Sequence, residues 1–558
     1  MLSSIKAYLP DWLREYRRGF LLGDCLAGVT LTAYAIPVAI AYSSLAGLPP
    51  QAGLYCYVFG GLGYALFGTC RQLAIGPTAA ISMVVGTTLV KLAPDDPARL
   101  ASLAALTALV TAAMGILGWM LRFSQMVNFI SETVLLGFKA GAALSIAVTQ
   151  LPKLFGVPAE GHDFFTRFYA LCLNVGETNP YVLMLGFAVL VLLLAGERWL
   201  PGRPVALLAV VGSLVVMSFT SLGEHGIKVV GLLPQGLPVL QVPMVTRDDV
   251  DEVIPLALAC LLLSYVESVS AARTFAASHG YRIDPRRELL ALGAANFLGG
   301  LAQGFPLAGG LSQSAVNEKA GARSALALLL ASGVIGLVLI FMPGVFRNLP
   351  ETVLAAIVLV AIKGLVDVRE LIHVSRVSRF DFNVAMGALV GVLLLGILKG
   401  VLLASILSIL LLLRRASHPH VAFLGRIPGT DQFSDLERHP QNERISGVLV
   451  FRVEAHLLYF NVEHVREKVL ERLALESGNV KLVIADLSCS PNLDLAGGRM
   501  LAALDTQLAK EHRVLKLVNV HARARDLLRA EGLEEKIGRI RRRATLAALI
   551  EDFKNEKL

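Results

Sequence analysis

Long apolar runs recur along this chain from about residue 24 to residue 413 and then cease. They fall near 25–45, 53–69, 76–90, 101–120, 132–150, 180–196, 204–220, 255–277, 288–304, 311–316, 322–342, 351–364, 382–398 and 400–413. A helix needs about 20 apolar residues to cross the hydrocarbon core of a bilayer. The pattern therefore predicts a polytopic α-helical membrane protein of about fourteen segments, two of them too short to cross alone. Those two begin near Gly76 and Gly310. Beyond Arg414 the charge density becomes that of an ordinary soluble protein. The expected division is a cytosolic N-terminal segment over 1–20, a transmembrane domain over 21–415, a linker over 416–440 and a small α/β domain over 441–558.

The apolar pattern is broken in the same way twice. The early half runs from Val29 to Leu45, then through a connector to Leu73-Ala74-Ile75-Gly76-Pro77-Thr78-Ala79-Ala80-Ile81-Ser82. The later half runs from Ser264 to Ala276, then to Phe305-Pro306-Leu307-Ala308-Gly309-Gly310-Leu311-Ser312-Gln313-Ser314. Each puts a Gly/Pro break ahead of a short, polar-tipped helix. Matching interruptions in two halves point to a transporter binding site near the bilayer midplane. The N-terminus of a short helix leaves backbone N–H groups unpaired and carries the positive end of the dipole. Two such ends facing each other can cradle an anion. The candidate substrate-binding residues are Pro77, Thr78 and Ala79 on one side and Gly309, Gly310, Leu311, Ser312 and Gln313 on the other. Pro77 suits the first turn of its helix, where its missing N–H costs nothing. Ser312 and Ser314 offer hydroxyls. The leads 71–75 and 306–308 read as short strands, tolerable at that depth only under a cover of protein. The plainer reading is that these glycines let helices pack closely; the pairing of the breaks favours a site.

Glu267 lies near the middle of the run 255–277. A carboxylate at that depth costs roughly 2.5–3.5 kcal/mol on insertion scales, and intramembrane acids usually face a cavity, a partner or a proton path. The bland alternative is a carboxylate paired for packing, with Arg273 as its partner.

Composition agrees with the pattern. The chain is 55% hydrophobic and only 17% charged, whereas soluble domains carry about 25% charge. The net charge of +8 does not imply nucleic acid, because the basic residues cluster at the ends of apolar runs. Arg14, Arg17 and Arg18 precede the first, Arg282, Arg286 and Arg287 follow the eighth, Lys363, Arg369, Arg376 and Arg379 follow the twelfth, and Arg414 and Arg415 follow the last. All fall on one side if every run reverses the chain, and the positive-inside rule then puts both termini in the cytoplasm. Opposite loops are acidic or mixed, as in Pro94-Asp95-Asp96 and residues 247–252. Met1–Arg18 lacks the apolar stretch of a cleavable signal. The six cysteines are scattered without metal-ligand spacing, and five lie in or beside membrane segments, which reads as packing. No nucleophile–His–Asp set, metal cluster or phosphate-binding Gly-Lys loop suggests an enzyme or a cofactor. His162, His225 and His279 read as loop residues.

Several stretches in order resemble the sulfate permease (SulP) family of inorganic-anion transporters. They are Asp24-Cys25-Leu26-Ala27-Gly28-Val29-Thr30 with Ile36-Pro37, Leu45 to Tyr55, Ile75 to Ala79, Arg287-Glu288-Leu289 through Asn296, Ser314 to Asn317 and Ala320 to Arg323. The resemblance implies a seven-plus-seven inverted repeat with two half-helices, a core domain moving against a gate domain, anion binding between the third and tenth helices, and homodimers. It aligns Tyr42 with the family's aromatic position at the site. It also aligns Glu267 with an acidic residue of the eighth helix, glutamate in proton-coupled relatives and aspartate in a sodium-coupled one. Two departures stand out. Ser312-Gln313 replaces the usual Ser-Arg, and Ile36-Pro37-Val38 replaces Ile-Pro-Gln. A site without that arginine must rely on helix dipoles, hydroxyls and Gln313, and loss of the cation favours a protonated Glu267. The expectation is symport of an inorganic anion, sulfate by default, with a proton and with Glu267 as the coupling carboxylate. Sodium–bicarbonate symport and anion exchange are the alternatives within the class, and a membrane sensor signalling through its soluble domain is the alternative outside it. The setting expected is a bacterial inner (plasma) membrane.

The soluble part reads as strands over 447–453, 456–460, 480–487 and 513–520 with intervening helices, an α/β layer pattern. It resembles the STAS domain that ends many sulfate permeases. Where phosphorylatable relatives carry Ser or Thr after the residue equivalent to Asp494, this chain has Leu495, so that switch is not available. Arg523, Arg525, Arg539 and Arg541 to Arg543 read as a solvated basic face.

Overall fold

The computed structural model describes residues 10–93, 96–123, 132–158, 161, 163–199, 205–231, 234–244, 246–476, 480–537, 540 and 545–555. The loop residues Pro94 and Asp95, His162, and the basic residues Arg539 and Arg541 to Arg543 lie outside them. The chain forms two compact units, Met1–Ser408 and Ile409–Leu558.

The first unit is helical throughout except for two short strands. The first half is α1 (Leu21–Leu45), α2 (Pro50–Phe67), β1 (Ile75–Gly76), α3 (Ala79–Leu92), α4 (Pro97–Met120), α5 (Glu132–Phe155), α6 (Phe164–Asn174), α7 (Pro180–Trp199) and α8 (Val205–Phe219). The second is α9 (Arg247–Ser278), α10 (Pro285–Leu301), β2 (Ala308–Gly309), α11 (Leu311–Lys319), α12 (Leu326–Phe341), α13 (Glu351–Lys363), α14 (Val368–Val377), α15 (Arg379–Leu395) and α16 (Ile397–Ser417). Several helices start where the sequence supplies a cap. Asp96 accepts from the backbone N–H groups of Ala98 and Arg99 ahead of α4, with Pro97 opening that helix. Thr246 and Asp249 form a reciprocal capping box at α9. Asp284 and Pro285 repeat the Asp-Pro start at α10.

Packing shows the repeat. Helix α1 packs on α12 as α9 packs on α4, and α2 packs on α12 as α10 packs on α4. These helices, with α3 and α11, make one bundle. A second group follows the same exchange, α5 packing on α15 and α13 on α7. Among the described residues five helices, the first of them including the short turn before α1, are long and apolar enough to cross a membrane: those ending at Leu45, Met120, Phe155, Trp199 and Ser278. Large apolar side chains such as Leu22, Val29, Phe187 and Leu208 are exposed, as a lipid surrounding requires.

The second unit carries a five-stranded sheet in the order β4-β3-β5-β6-β7. Its strands are β3 (Val421–Arg426), β4 (Phe433–Asp435), β5 (Val448–Val453), β6 (Leu482–Asp486) and β7 (Val514–Val518), with helices α17 (Val462–Leu475), α18 (Leu495–Lys510), α19 (Ala522–Ala530), α20 (Leu533–Ile537) and α21 (Leu546–Lys554). Two expectations are corrected here. The stretch 416–440, expected as a linker, supplies β3 and β4 to the sheet. Residues 456–460, expected as a strand, form a turn. Asn461 accepts from Leu458 N–H at 2.9 Å and donates to His456 O at 2.9 Å, which closes that turn. Asp494 caps α18, accepting from Gly497 N–H at 2.9 Å and from Tyr459 N–H at 2.8 Å. The fold also gathers His420, Asp435 and Glu437, whose ligand atoms lie within 4.8 Å of one another. The hydrogen bond from His420 to Asp435 at 2.9 Å accounts for that contact.

Candidate functional site

The two broken helices meet. Strands β1 and β2 pair antiparallel, with Ile75 opposite Gly309 and Gly76 opposite Ala308. Side chains of the first bundle satisfy the backbone that this irregular segment leaves open, as burial demands. Ser314 Oγ accepts from Ala74 N–H at 2.9 Å and donates to Gly310 O at 2.7 Å. Ser268 Oγ accepts from Gly309 N–H at 2.7 Å. Asn317 donates to Gln72 O at 3.0 Å. Asn296 holds Leu307 from both sides, accepting its N–H at 3.0 Å and donating to its carbonyl at 3.3 Å. Gly76 is required at its place, because a Cβ there would overlap the Tyr57 ring.

The strand pair brings the N-termini of α3 and α11 together. Their N-cap residues are Thr78 and Gly310, and neither caps its helix with a side chain. The first backbone bonds back are Ser82 N–H to Thr78 O and Ser314 N–H to Gly310 O. The amides before them have no helical partner and point out of the helix ends. Pro77 departs from expectation. It precedes the N-cap rather than entering the first turn, because β1 ends at Gly76 and one extended residue, Thr78, must separate strand from helix. Ser314 departs too: its hydroxyl staples β1 to α11 and does not face the space between the helix ends.

That space is a cavity of about 120 Å³, room for about four waters at roughly 30 Å³ each. Tyr42 of α1 lines it, with Pro77, Thr78 and Ala79, Glu267 of α9, and Gly310, Leu311, Ser312 and Gln313. Gly309 lies beneath, in β2. Thr78 donates to Glu267 Oε2 at 3.3 Å. Arg273 is exposed and forms no ion pair with Glu267 among the described residues, so the packing-pair alternative for that carboxylate is not what the structure shows. The Tyr57 hydroxyl donates to Gln313 Oε1, which turns the amide NH₂ of Gln313 into the free end.

The far wall comes from the second bundle: Lys139 of α5, Ala361 of α13, and Gly364 and Leu365 just after it. Lys139 was not among the sequence candidates. Among the described residues its ammonium has no ion-pair partner within 4 Å. Its signal was nonetheless present, a lysine in the middle of the apolar run 132–150, the kind of intramembrane charge that marks a ligand path. A larger cavity of about 420 Å³ shares Tyr34, Val38, Ser312, Ala361 and Gly364 with the first and extends to Glu197 and Lys319. The site is thus continuous with space toward the N-terminal end of α1.

Comparison with known proteins decides the family. The chain matches the sulfate permease family over residues 21–388 and the STAS domain over residues 439–548. It belongs to the sulfate permease family. A probable sulfate transporter of Mycobacterium tuberculosis (strain CDC 1551 / Oshkosh) is 35% identical over 541 residues, covering 97% of each chain. Sulfate transporter 2.1 of Arabidopsis thaliana is 31% identical, covering 93% of this chain and 81% of the relative. The solved structure of murine Solute Carrier 26 family member A9, described as an anion transporter in the inward-facing state, superposes with a TM-score of 0.87 at 25% identity, covering 96% of this chain and 92% of that one. The chain is therefore a member of an anion-transporter family, with a polytopic helical membrane part and a STAS domain. Its cysteines are free: Cys56, Cys70 and Cys260 are buried, whereas Cys172 and Cys489 are exposed, against the packing role expected for Cys172. His225 stacks on Tyr181 with ring centroids 4.2 Å apart, and His279 Nε2 lies 3.8 Å from Glu318. Both are structural contacts away from the cavity.

Proposed function

We propose that this chain is a secondary active transporter that carries sulfate together with a proton, with the cavity between α3 and α11 as its binding site and Glu267 as its coupling carboxylate. One observation carries the reading: two uncapped helix N-termini, the cation Lys139 and the carboxyl Glu267 line a single small cavity. Helix ends and a lysine attract an oxyanion. The donors Ser312 and the Gln313 amide add hydrogen bonds, and bonds to a charged acceptor are the stronger kind. A second negative charge beside a bound dianion would be repelled, so anion binding favours protonation of Glu267. Anion and proton then travel as a pair, and neither loads well alone. Sulfate is favoured as the cargo because both curated relatives above carry that name. The clustering of Lys and Arg at alternate loops favours cytoplasmic termini, which makes the 420 Å³ cavity the cytoplasmic approach.

The test is uptake of radiolabelled sulfate into proteoliposomes under imposed proton or sodium gradients. A proton gradient should drive accumulation, and Glu267→Gln should abolish accumulation while leaving sulfate–sulfate exchange. Accumulation by Glu267→Gln, or accumulation driven by sodium and indifferent to pH, would overturn the coupling assignment.

A further inference from the structure

A third cavity, of about 190 Å³, lies at the opposite end of the same helices. It shares no lining residue with the other two. Along α1 the central cavity reaches Tyr42 and this one begins at Ser44; along α3 the central cavity reaches Ala80 and this one begins at Met83. At a rise of 1.5 Å per residue, the step along each helix is less than one turn, roughly 3–5 Å. The path is therefore a line of three cavities with a thin partition between the second and the third.

The third cavity is cationic. Lys91 of α3, Lys153 of α5 and Arg167 of α6 line it. Lys153 Nζ donates to Ser44 Oγ at 2.9 Å, which leaves it two further N–H groups. Arg167 Nε donates to Gly161 O at 2.9 Å, which fixes the guanidinium and leaves its two NH₂ groups. Gly161 presents that carbonyl from a left-handed backbone with φ of +98°, and a Cβ on it would meet Thr166 Oγ1 at 2.7 Å. Asp163 caps α6 by accepting from Thr166 N–H at 2.9 Å. Among the described residues none of the three cations forms an ion pair. A half-enclosed pocket lined by three cations, with Arg167 held by a backbone carbonyl, is a poor arrangement for stability and a good one for collecting anions, though Asp163 near Arg167 and Lys91 and Glu351 near Lys153 offset part of the charge.

We infer that this third cavity is an oxyanion subsite, held by Lys153, Arg167 and Lys91, that collects substrate at the mouth opposite the cytoplasmic approach. The inference rests on the central cavity being the transport site, but the subsite can be detected without transport. A bidentate guanidinium and an ammonium suit a tetrahedral or planar oxyanion such as sulfate. The field of the three charges raises local anion concentration, by tenfold or more for clefts of this kind.

Two measurements on the full chain test it. In a Cys25→Ser, Cys172→Ser, Cys489→Ser background, Thr87→Cys places a thiol in the pocket wall. Sulfate should slow its reaction with a cationic methanethiosulfonate several-fold in detergent, and Lys153→Gln with Arg167→Gln should remove that protection. Lys153→Arg, which keeps the charge and leaves the Arg167 fork in place, should retain it. In sided vesicles the double variant should raise KM for sulfate about tenfold from the outer face only. Protection that survives loss of both cations, or KM values unchanged on that face or changed equally on both, would overturn the subsite. If sulfate protects the thiol of the Thr87→Cys chain with Lys153 and Arg167 in place, yet the wild-type chain moves no sulfate, the subsite stands and the transport reading falls.

Discussion

At the scale of single residues, the decisive exchange is between α11 and α5. Helix α11 carries Gln313 where the family resemblance predicts arginine, and Tyr57 fixes that glutamine by donating to its carbonyl oxygen. The positive charge enters instead from across the cavity, on Lys139. Two variants separate the roles. Removing a hydrogen bond to a charged group costs about 1.5–3 kcal/mol, so Lys139→Gln should raise KM for sulfate by roughly ten- to hundredfold, measured equally from both faces. Gln313→Arg in wild type should tighten sulfate binding in equilibrium titration but slow release. In the Lys139→Gln background the same arginine should recover part of the lost affinity. An unchanged KM in Lys139→Gln would remove the lysine from the site.

At the scale of elements, the site depends on a four-residue strand pair: the leads 71–75 and 306–308 read as short strands, the strands observed are Ile75–Gly76 and Ala308–Gly309, and no hydrophobic period could reveal that they pair. The breaks at Gly76-Pro77 and Gly309-Gly310 were legible because glycine and proline cannot continue an apolar helix. What joins them was not, because Ser268, Asn296 and Asn317 read locally as ordinary polar positions on apolar helices, and the Ser314 hydroxyl, expected at the site, serves the staple instead. Lys139 stands in an uninterrupted apolar run, away from the glycine and proline breaks that mark the site. In the soluble domain, His456 to Phe460 has strand composition, yet Asn461 offers the backbone a competing local bond and a turn wins. Strand β4 escaped because it is three residues long, and β3, six residues long, because it follows the last apolar helix after only a short turn. The staples make their own prediction. Ser314→Ala leaves the Ala74 N–H unpaired and buried, which costs about 1–3 kcal/mol. It should lower the melting temperature in detergent and weaken sulfate binding together, whereas Ser312→Ala, on the cavity wall, should weaken binding with melting unchanged. If Ser314→Ala melts like wild type, the strand pair is not held by that hydroxyl.

At the scale of the whole membrane unit, the two bundles differ from the surface between them. Inside a bundle the contact is backbone to backbone: a Cβ at Gly137 of α5 would overlap Ala385 of α15, and one at Gly63 of α2 would come within 2.6 Å of Ala294 O in α10. Such contacts have no room to slide, so each bundle moves as one body. Gly364 is different. It lies where α13 faces both connected cavities, and a Cβ on it would meet Ala361 O only at 3.5 Å. On the transport reading proposed above, carrying the central cavity from the 420 Å³ approach to the other mouth would require the space around Gly364 to close. A large side chain there should therefore be harmless to the structure described and fatal to the cycle. Gly137→Ala should cost about 1–3 kcal/mol by overpacking and melt at a lower temperature in detergent. Gly364→Phe should melt like wild type, yet neither accumulate nor exchange sulfate. A Gly364→Phe chain that exchanges sulfate at the wild-type rate would show that the bundles do not close on this face, and that the anion crosses by another route.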